Sequence, residues 1–331
     1  MKKCMNQSDT FVDESLNGIY KAYPGFYEKC GENNRALVHK GKKKGQVSII
    51  TGGGYGHLPL FLGYVGEGLC DGAAIGNVFT SPSCETILDV AGNVENESGI
   101  LFLFGNYFGD SMNFEMAAEM LEMEGIQTAT VKMSDDIASA PRENYTKRRG
   151  IAGILFAYKI AGAAASRGDS LEEVKRVAEK VVQNTATYGV AFSSCTLPGA
   201  GKPVFEIGEN DMEIGMGIHG EPGVRRGSMK ESREIAKELC PELMKDLGLK
   251  EGDAVAVLIN GLGMTSREEL YILYGDAADI FENAGLQIKK TLVGEYATSM
   301  EMAGLSISVL KLDEELEELL SQPEYTPFMR Y

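Results

Sequence analysis

The chain of 331 residues carries 48 acidic against 32 basic side chains, a formal charge of −16. That balance excludes nucleic acid as a partner, because phosphate binding needs clustered Lys and Arg. A hydrophobic content of 44% and a charged content of 24% fit a soluble globular protein with one large or two medium α/β domains.

Thr10 to Ala22 predicts a helix, closed by a turn at Pro24-Gly25. The basic run Lys40 to Lys44 reads as a solvated loop. Gln46 to Thr51 is a short β-rich apolar run that feeds Gly52-Gly53-Gly54, a buried strand ending in a glycine loop. Strands follow at Asp71 to Ile75, Ile100 to Phe104 and Gln127 to Met133, with helices at Cys84 to Val94 and Asn113 to Met123. Strand, glycine turn and helix alternate, which implies a largely parallel sheet with helices on both faces and ligands at the carboxyl ends of its strands. Ile151 to Arg167 and Leu171 to about Thr187 predict two more helices.

A boundary near residues 185–190 divides the chain into an N-terminal α/β domain, 1–187, and a C-terminal one, 188–331. The second begins with Gly189 to Ser193 and a turn at Leu197 to Gly201. Phe205 to Ile207 and Met212 to Ile214 predict a hairpin, and Ser228 to Leu247 a helix. A buried strand at Ala254 to Ile259 runs into Asn260-Gly-Leu-Gly263, a helix starts at Ser266, and strands follow near Leu286 to Val293 and Leu305 to Leu312. Glu314 to Leu320 reads as a short acidic helix.

Six scattered cysteines without a CxxC pair, and no apolar leader, point to the reducing cytoplasm. No run of about 18 apolar residues marks a membrane span. The only histidines are His39, His57 and His219. His57 closes Gly52-Gly-Gly-Tyr-Gly-His57-Leu-Pro59, a loop that lets backbone N–H groups approach a small polar ligand. It is neither a phosphate-binding P-loop nor a dinucleotide fingerprint. His57 is expected at the rim of the sheet. Asp110, in Gly105-Asn-Tyr-Phe-Gly-Asp110, follows a buried strand and is either a helix N-cap or a carboxylate facing the same crevice. His219 lies in Gly215-Met-Gly-Ile-His-Gly-Glu-Pro-Gly223, which is not a core pattern. No ligand spacing for a metal is present.

These three segments, in this order, resemble the substrate-binding subunit of dihydroxyacetone kinases. Asn77 to Ser83, Lys147 to Gly153, Lys159 to Ala164, Leu258 to Gly263 and Val293 to Gly304 extend the resemblance over nearly the whole chain. The resemblance implies that His219 adds to the carbonyl of a short ketose as a hemiaminal, with Asp110 as general base. His57 is implied to orient the substrate or share the acid–base work. Gly53, Gly54, Tyr55, Gly56, Ser81 and Gly105 are expected to line the substrate, Ser81 through a hydrogen bond. It implies a homodimer, and a separate nucleotide-binding kinase subunit that brings Mg²⁺ with ATP, or a bound ADP recharged by a phosphocarrier subunit. A non-catalytic, ketose-sensing coactivator is the other reading. The family pattern has Ser, Glu, Lys and Thr where this chain has Tyr55, Leu58, Gly105 and Phe108. Loss of the Lys opens space and removes a cation, while Tyr55 and Phe108 add apolar surface. These departures suggest a longer ketose such as erythrulose.

Overall fold

The computed structural model describes residues 2–32, 34–41, 44–94 and 97–330. Lys42 and Lys43 of the basic run lie outside them. The first helix, α1 (Phe11–Ala22), leads into a short antiparallel pair, β1 (Tyr27–Cys30) and β2 (Ala36–His39). Then come β3 (Ser48–Tyr55), β4 (Gly72–Val78), α2 (Cys84–Ala91), β5 (Ile100–Gly105), α3 (Phe108–Met123) and β6 (Thr128–Met133). Their sheet runs β1-β2-β4-β3-β5-β6, with β4, β3, β5 and β6 parallel. Every residue of β3 and β5 is buried, as continuous apolar strands covered on both faces must be.

α4 (Ile154–Arg167) and α5 (Leu171–Asn184) precede the second sheet. It is built from β7 (Thr185–Ala191), β8 (Asp211–Ile214), β9 (Arg225–Ser228), β10 (Ala254–Gly261), β11 (Gln287–Gly294) and β12 (Gly304–Leu312). Its order is β11-β10-β12-β7-β8-β9, and only β10 and β11 run parallel, so it is a mixed sheet. α6 (Ser232–Leu247) and α7 (Arg267–Asn283) cover its outer face, through Leu239, Leu243, Leu270 and Phe281. α8 (Glu314–Leu320) and a two-residue hairpin, β13 (Tyr325–Thr326) with β14 (Met329–Arg330), end the chain.

α2 and α3 pack on the far face of the first sheet, with Ile87, Val90, Phe114 and Leu121 against Ile50, Phe102 and Phe104. The near face is covered by α4 and α5, which also meet the second sheet. One apolar core joins Leu101 and Leu103 of β5, Phe156 and Ile160 of α4, Val177 and Val181 of α5, and Leu258 and Leu310 of β10 and β12. The layers are therefore helix, sheet, helix, sheet, helix, with the middle helices shared.

The expected fold class, α/β with two helix-flanked sheets, is the one observed. Several details differ: Ser228, expected to open a helix, ends β9 and α6 starts at Ser232, while α5 stops at Asn184 and Thr185 to Thr187 belong to β7. The pair β1–β2 has no counterpart in the sequence reading. α3 starts at Phe108 rather than Asn113. β8 pairs with β9, not with Phe205 to Ile207, which form no strand. The four residues of β9, Arg-Arg-Gly-Ser, are all exposed and carry no apolar alternation to read.

Candidate active site

β3 and β5 end side by side, and their exits bring Gly56-His57 and Asp110 to one edge of the first sheet. The connection from β8 to β9 brings His219 to the same place from the second sheet. The segment 295–303, between β11 and β12, ties the two together. Asn260, at the end of β10, accepts from Tyr296 N (2.9 Å) and Ala297 N (2.8 Å) and donates to Ala297 O (2.9 Å). So held, the segment donates Thr298 N to His57 O and Met300 N to Gly56 O. Ser299 Oγ donates to Ile218 O, beside His219. The rings of His57 and His219 then meet edge to face with centroids 4.8 Å apart.

His57 sits at the strand end as expected, but not at an open rim: it is wholly buried, because residues 298–300 close over it. Phe79 lies flat on its ring, 4.8 Å away at 9°, and needs a left-handed backbone (φ 56°) to do so. Gly56 has φ 109°, and a Cβ there would meet Phe79 at 2.9 Å and Met300 at 3.2 Å. His57 Nδ1 is 2.7 Å from Thr298 O. A carbonyl only accepts, so Nδ1 carries the proton. Burial, reinforced by His219, lowers the His57 pKa to about 3. The ring is thus neutral, and Nε2 is a bare acceptor that no described residue partners.

Asp110 is not an N-cap. It is the third residue of α3, after Tyr107 at the cap position, and is 7% exposed. Burial raises its pKa to about 6, against the lowering effect of a hydrogen bond from Ser81 and of nearby His219. Its Oδ1 is buried without a partner among the described residues. A buried carboxyl poised near neutrality, with an oxygen left unpartnered, is equipped to take a proton from a bound hydroxyl.

His219 is partly exposed and ringed by Tyr107 (4.7 Å), Phe79 (5.3 Å) and His57. Its Nδ1 is 3.0 Å from Glu221 Oε1, and its backbone N donates to Glu221 Oε2 at 2.9 Å. Burial alone would push Glu221 up, but the hydrogen bonds from His219 outweigh it and hold the group at about 2. Glu221 is therefore ionised and can only accept, so Nδ1–H points to it, and in the neutral ring the lone pair is on Nε2.

The other expected residues divide. Ser81 reaches Asp110. Gly53 packs under Phe61 and Gly54 against the Phe79–Thr80 backbone, where a Cβ would come within 2.2 Å and 2.6 Å. Tyr55 turns its hydroxyl to Ser15 of α1 and its ring edge to Phe11, not to the histidines. At Gly105 the space is not open, because a Cβ would lie 3.2 Å from the Tyr107 ring. Tyr107 keeps its hydroxyl buried and unpartnered among the described residues. Phe108 is 86% exposed at the start of α3. Sequence reasoning assigned no role to Phe79, Tyr107, Glu221 or Thr298. Glu221, two residues from His219, was the one with a local signal. No described group of three His, Cys, Asp or Glu could hold a metal, and no helix of the described residues is long and apolar enough to cross a membrane.

Comparisons with known proteins identify the family. The chain is 45% identical over 332 residues to the dihydroxyacetone-binding subunit DhaK of PTS-dependent dihydroxyacetone kinase 2 from Listeria innocua, covering 100% of this chain and 99% of that one. It is 42% identical to the L-erythrulose 1-kinase of Mycolicibacterium smegmatis, over all of this chain and 58% of the relative. Among solved structures it superposes on the dihydroxyacetone kinase operon co-activator Dha-DhaQ with TM-score 0.88 at 32% identity, covering 96% and 97% of the two chains. It also superposes on the C. freundii dihydroxyacetone kinase in complex with AMP-PNP and Mg²⁺, with TM-score 0.87 at 32% identity, covering 98% and 60%. The Dak1 domain model matches residues 17–328, and the chain belongs to that family.

Proposed function

We propose that this chain binds a short ketose as a hemiaminal on His219 and presents its terminal hydroxyl for phosphorylation by a nucleotide-bearing partner subunit. The observation that carries this reading is the convergence of three groups from two sheets: the His219 Nε2 lone pair, the bare Nε2 of His57 and the Asp110 carboxyl. Addition of Nε2 to the carbonyl carbon fixes the ketose, and a polyol without a carbonyl is rejected. Asp110 takes the proton of the hydroxyl as it attacks phosphorus. His57, neutral with its Nε2 free, accepts a hydrogen bond from the substrate and orients it.

Mg²⁺ with ATP, or ADP recharged by a phosphocarrier, belongs to the partner. The complex of a related kinase with AMP-PNP and Mg²⁺ supports nucleotide use in this family. We divide the chain at 187/188, a cut that falls inside β7, so that residues 1–187 bring His57 and Asp110 and residues 188–331 bring His219. A homodimer completes the reading, and a cytoplasmic location accords with cysteines that are all free thiols. The substrate class reaches to tetroses, a reading supported by an erythrulose kinase among the relatives; Gly105, Tyr55 and Phe108 lend it nothing, because the first is closed by Tyr107, the second turns to Ser15 and the third is exposed.

The likeness to the co-activator Dha-DhaQ favours a second reading, a ketose sensor. A buried Asp110 with a raised pKa, felt by His219, supports catalysis instead, since capture alone needs only His219. Intact-protein mass spectrometry with C3 to C5 ketoses, on wild type and His219→Ala, tests capture. A coupled assay with a nucleotide-binding subunit tests transfer. An adduct lost in His219→Ala, followed by transfer, is the expected result. An adduct with no transfer to any partner supports the sensor, and the absence of any adduct refutes both.

A further inference from the structure

Addition to a ketone changes the charge of the imidazole, and the residues behind His219 are arranged for that change. With Nδ1–H already donated to Glu221, the Nε2 lone pair forms the N–C bond. The carbonyl π pair moves to oxygen, which takes a proton from solvent. The ring then holds a carbon on Nε2 and a proton on Nδ1, and is a cation. Glu221 Oε1 stands 3.0 Å from Nδ1, and Glu221 Oε2 is fixed by the His219 backbone N. Gly217 makes room for this carboxylate: a Cβ there would lie 2.1 Å from Glu221 Oε2 and 2.7 Å from Arg149 Nη1. Arg149 is itself anchored on Asp136 and on Gly215 O. The Glu221 carboxylate is thus seated in the space that Gly217 leaves and aimed at the back of the ring.

We infer that Glu221 is the positioning residue that makes covalent capture favourable, by holding the Nδ1–H tautomer and neutralising the imidazolium of the adduct. This rests on the proposed hemiaminal at His219 and adds to it a charge state. Were the ring to lose Nδ1–H instead, a bare nitrogen would face a carboxylate, two acceptors with no proton between them. The captured state therefore holds one more proton than free protein and free ketose together.

That proton is measurable. Titration of wild type with dihydroxyacetone, by calorimetry in buffers of different ionisation enthalpy at pH 8, should show uptake of about one proton per adduct. The apparent affinity should fall about tenfold per pH unit from pH 8 to 9. In Glu221→Gln, which keeps an acceptor without the charge, the adduct population read by ¹³C NMR of carbonyl-labelled ketose should fall at least ~10-fold, and the uptake should vanish, since a pair between fixed charges strengthens with desolvation. An unchanged adduct and uptake in Glu221→Gln overturns the inference. So does a wild-type affinity independent of pH, which needs no variant to fold. If wild type forms no adduct that His219→Ala abolishes, the hemiaminal itself is refuted, and this inference with it.

Discussion

Ser81→Ala is the perturbation that most directly tests how Asp110 works. Ser81 donates to the Asp110 carboxyl and lowers its pKa, against burial that raises it; the balance stands at about 6. A hydrogen bond to a charged group is worth ~1.5–3 kcal/mol when nothing replaces it. Water admitted by the lost hydroxyl restores part, which leaves about 1 kcal/mol. At about 1.36 kcal/mol per pKa unit, Asp110 moves up by ~0.7 unit. Asp110 serves as a base only when ionised, so transfer is lost as pH falls through its pKa, and the variant loses it at higher pH. The assay is kcat/KM for phosphoryl transfer to the best ketose between pH 5 and 9. At pH 6.5 the ionised fraction should drop to about half that of wild type, and by pH 8.5 the two should match in ionisation. His57, at about 3, does not titrate in this window. An acid limb that stays in place or moves down would refute the reasoning. A rate lowered by the same factor at every pH, with an unmoved acid limb, would mean that Ser81 touches only the substrate.

Asp110→Asn should cut transfer by ~10²–10⁴-fold, the usual worth of a general base. It should also stabilise the free protein. The folded pKa lies above the ordinary value of 3.8, so stability falls as pH climbs from about 4 to about 6. Removing the charge should raise the urea midpoint at pH 7 by the equivalent of ~1–3 kcal/mol and leave it unchanged at pH 4. Asn260→Leu strands the N–H groups of Tyr296 and Ala297 and should cost about 3 kcal/mol in urea unfolding. It should also abolish the ketose adduct, because His57 and His219 lose the segment that joins them. Arg148, fully buried, makes a two-pronged pair with Asp246. Asp246→Ala leaves that charge unpaired and should cost ~3–5 kcal/mol in the same measurement.

Much of this was legible in the sequence, and the misses have physical causes. β3, β5 and β10 announce themselves as apolar runs stopped by glycine, and the strand-end positions of His57 and Asp110 follow from them. β1 and β2 are four residues each, too short for an alternation to stand out. The start of α3 was masked by Gly109, a poor helix former, and by the exposed Phe108. The burial of His57 was unreadable, because the residues that cover it lie 241 positions away at Thr298. Tyr55 was misplaced for a simpler reason: alternation along β3 sends its side chain to the face opposite its glycine neighbours, where Ser15 waits.

The shared layer of α4 and α5 has a consequence for how the protein responds to its ligand. Their apolar faces contribute to the packing of both sheets, so neither sheet keeps its buried surface if the other unravels. The chain is therefore expected to unfold as one cooperative unit. A ketose gripped from both sides therefore stabilises every element at once, by about 2.7 kcal/mol at a hundredfold excess over Kd. Occupancy of a cleft at one edge becomes visible in the melting of helices as distant as α6 and α7.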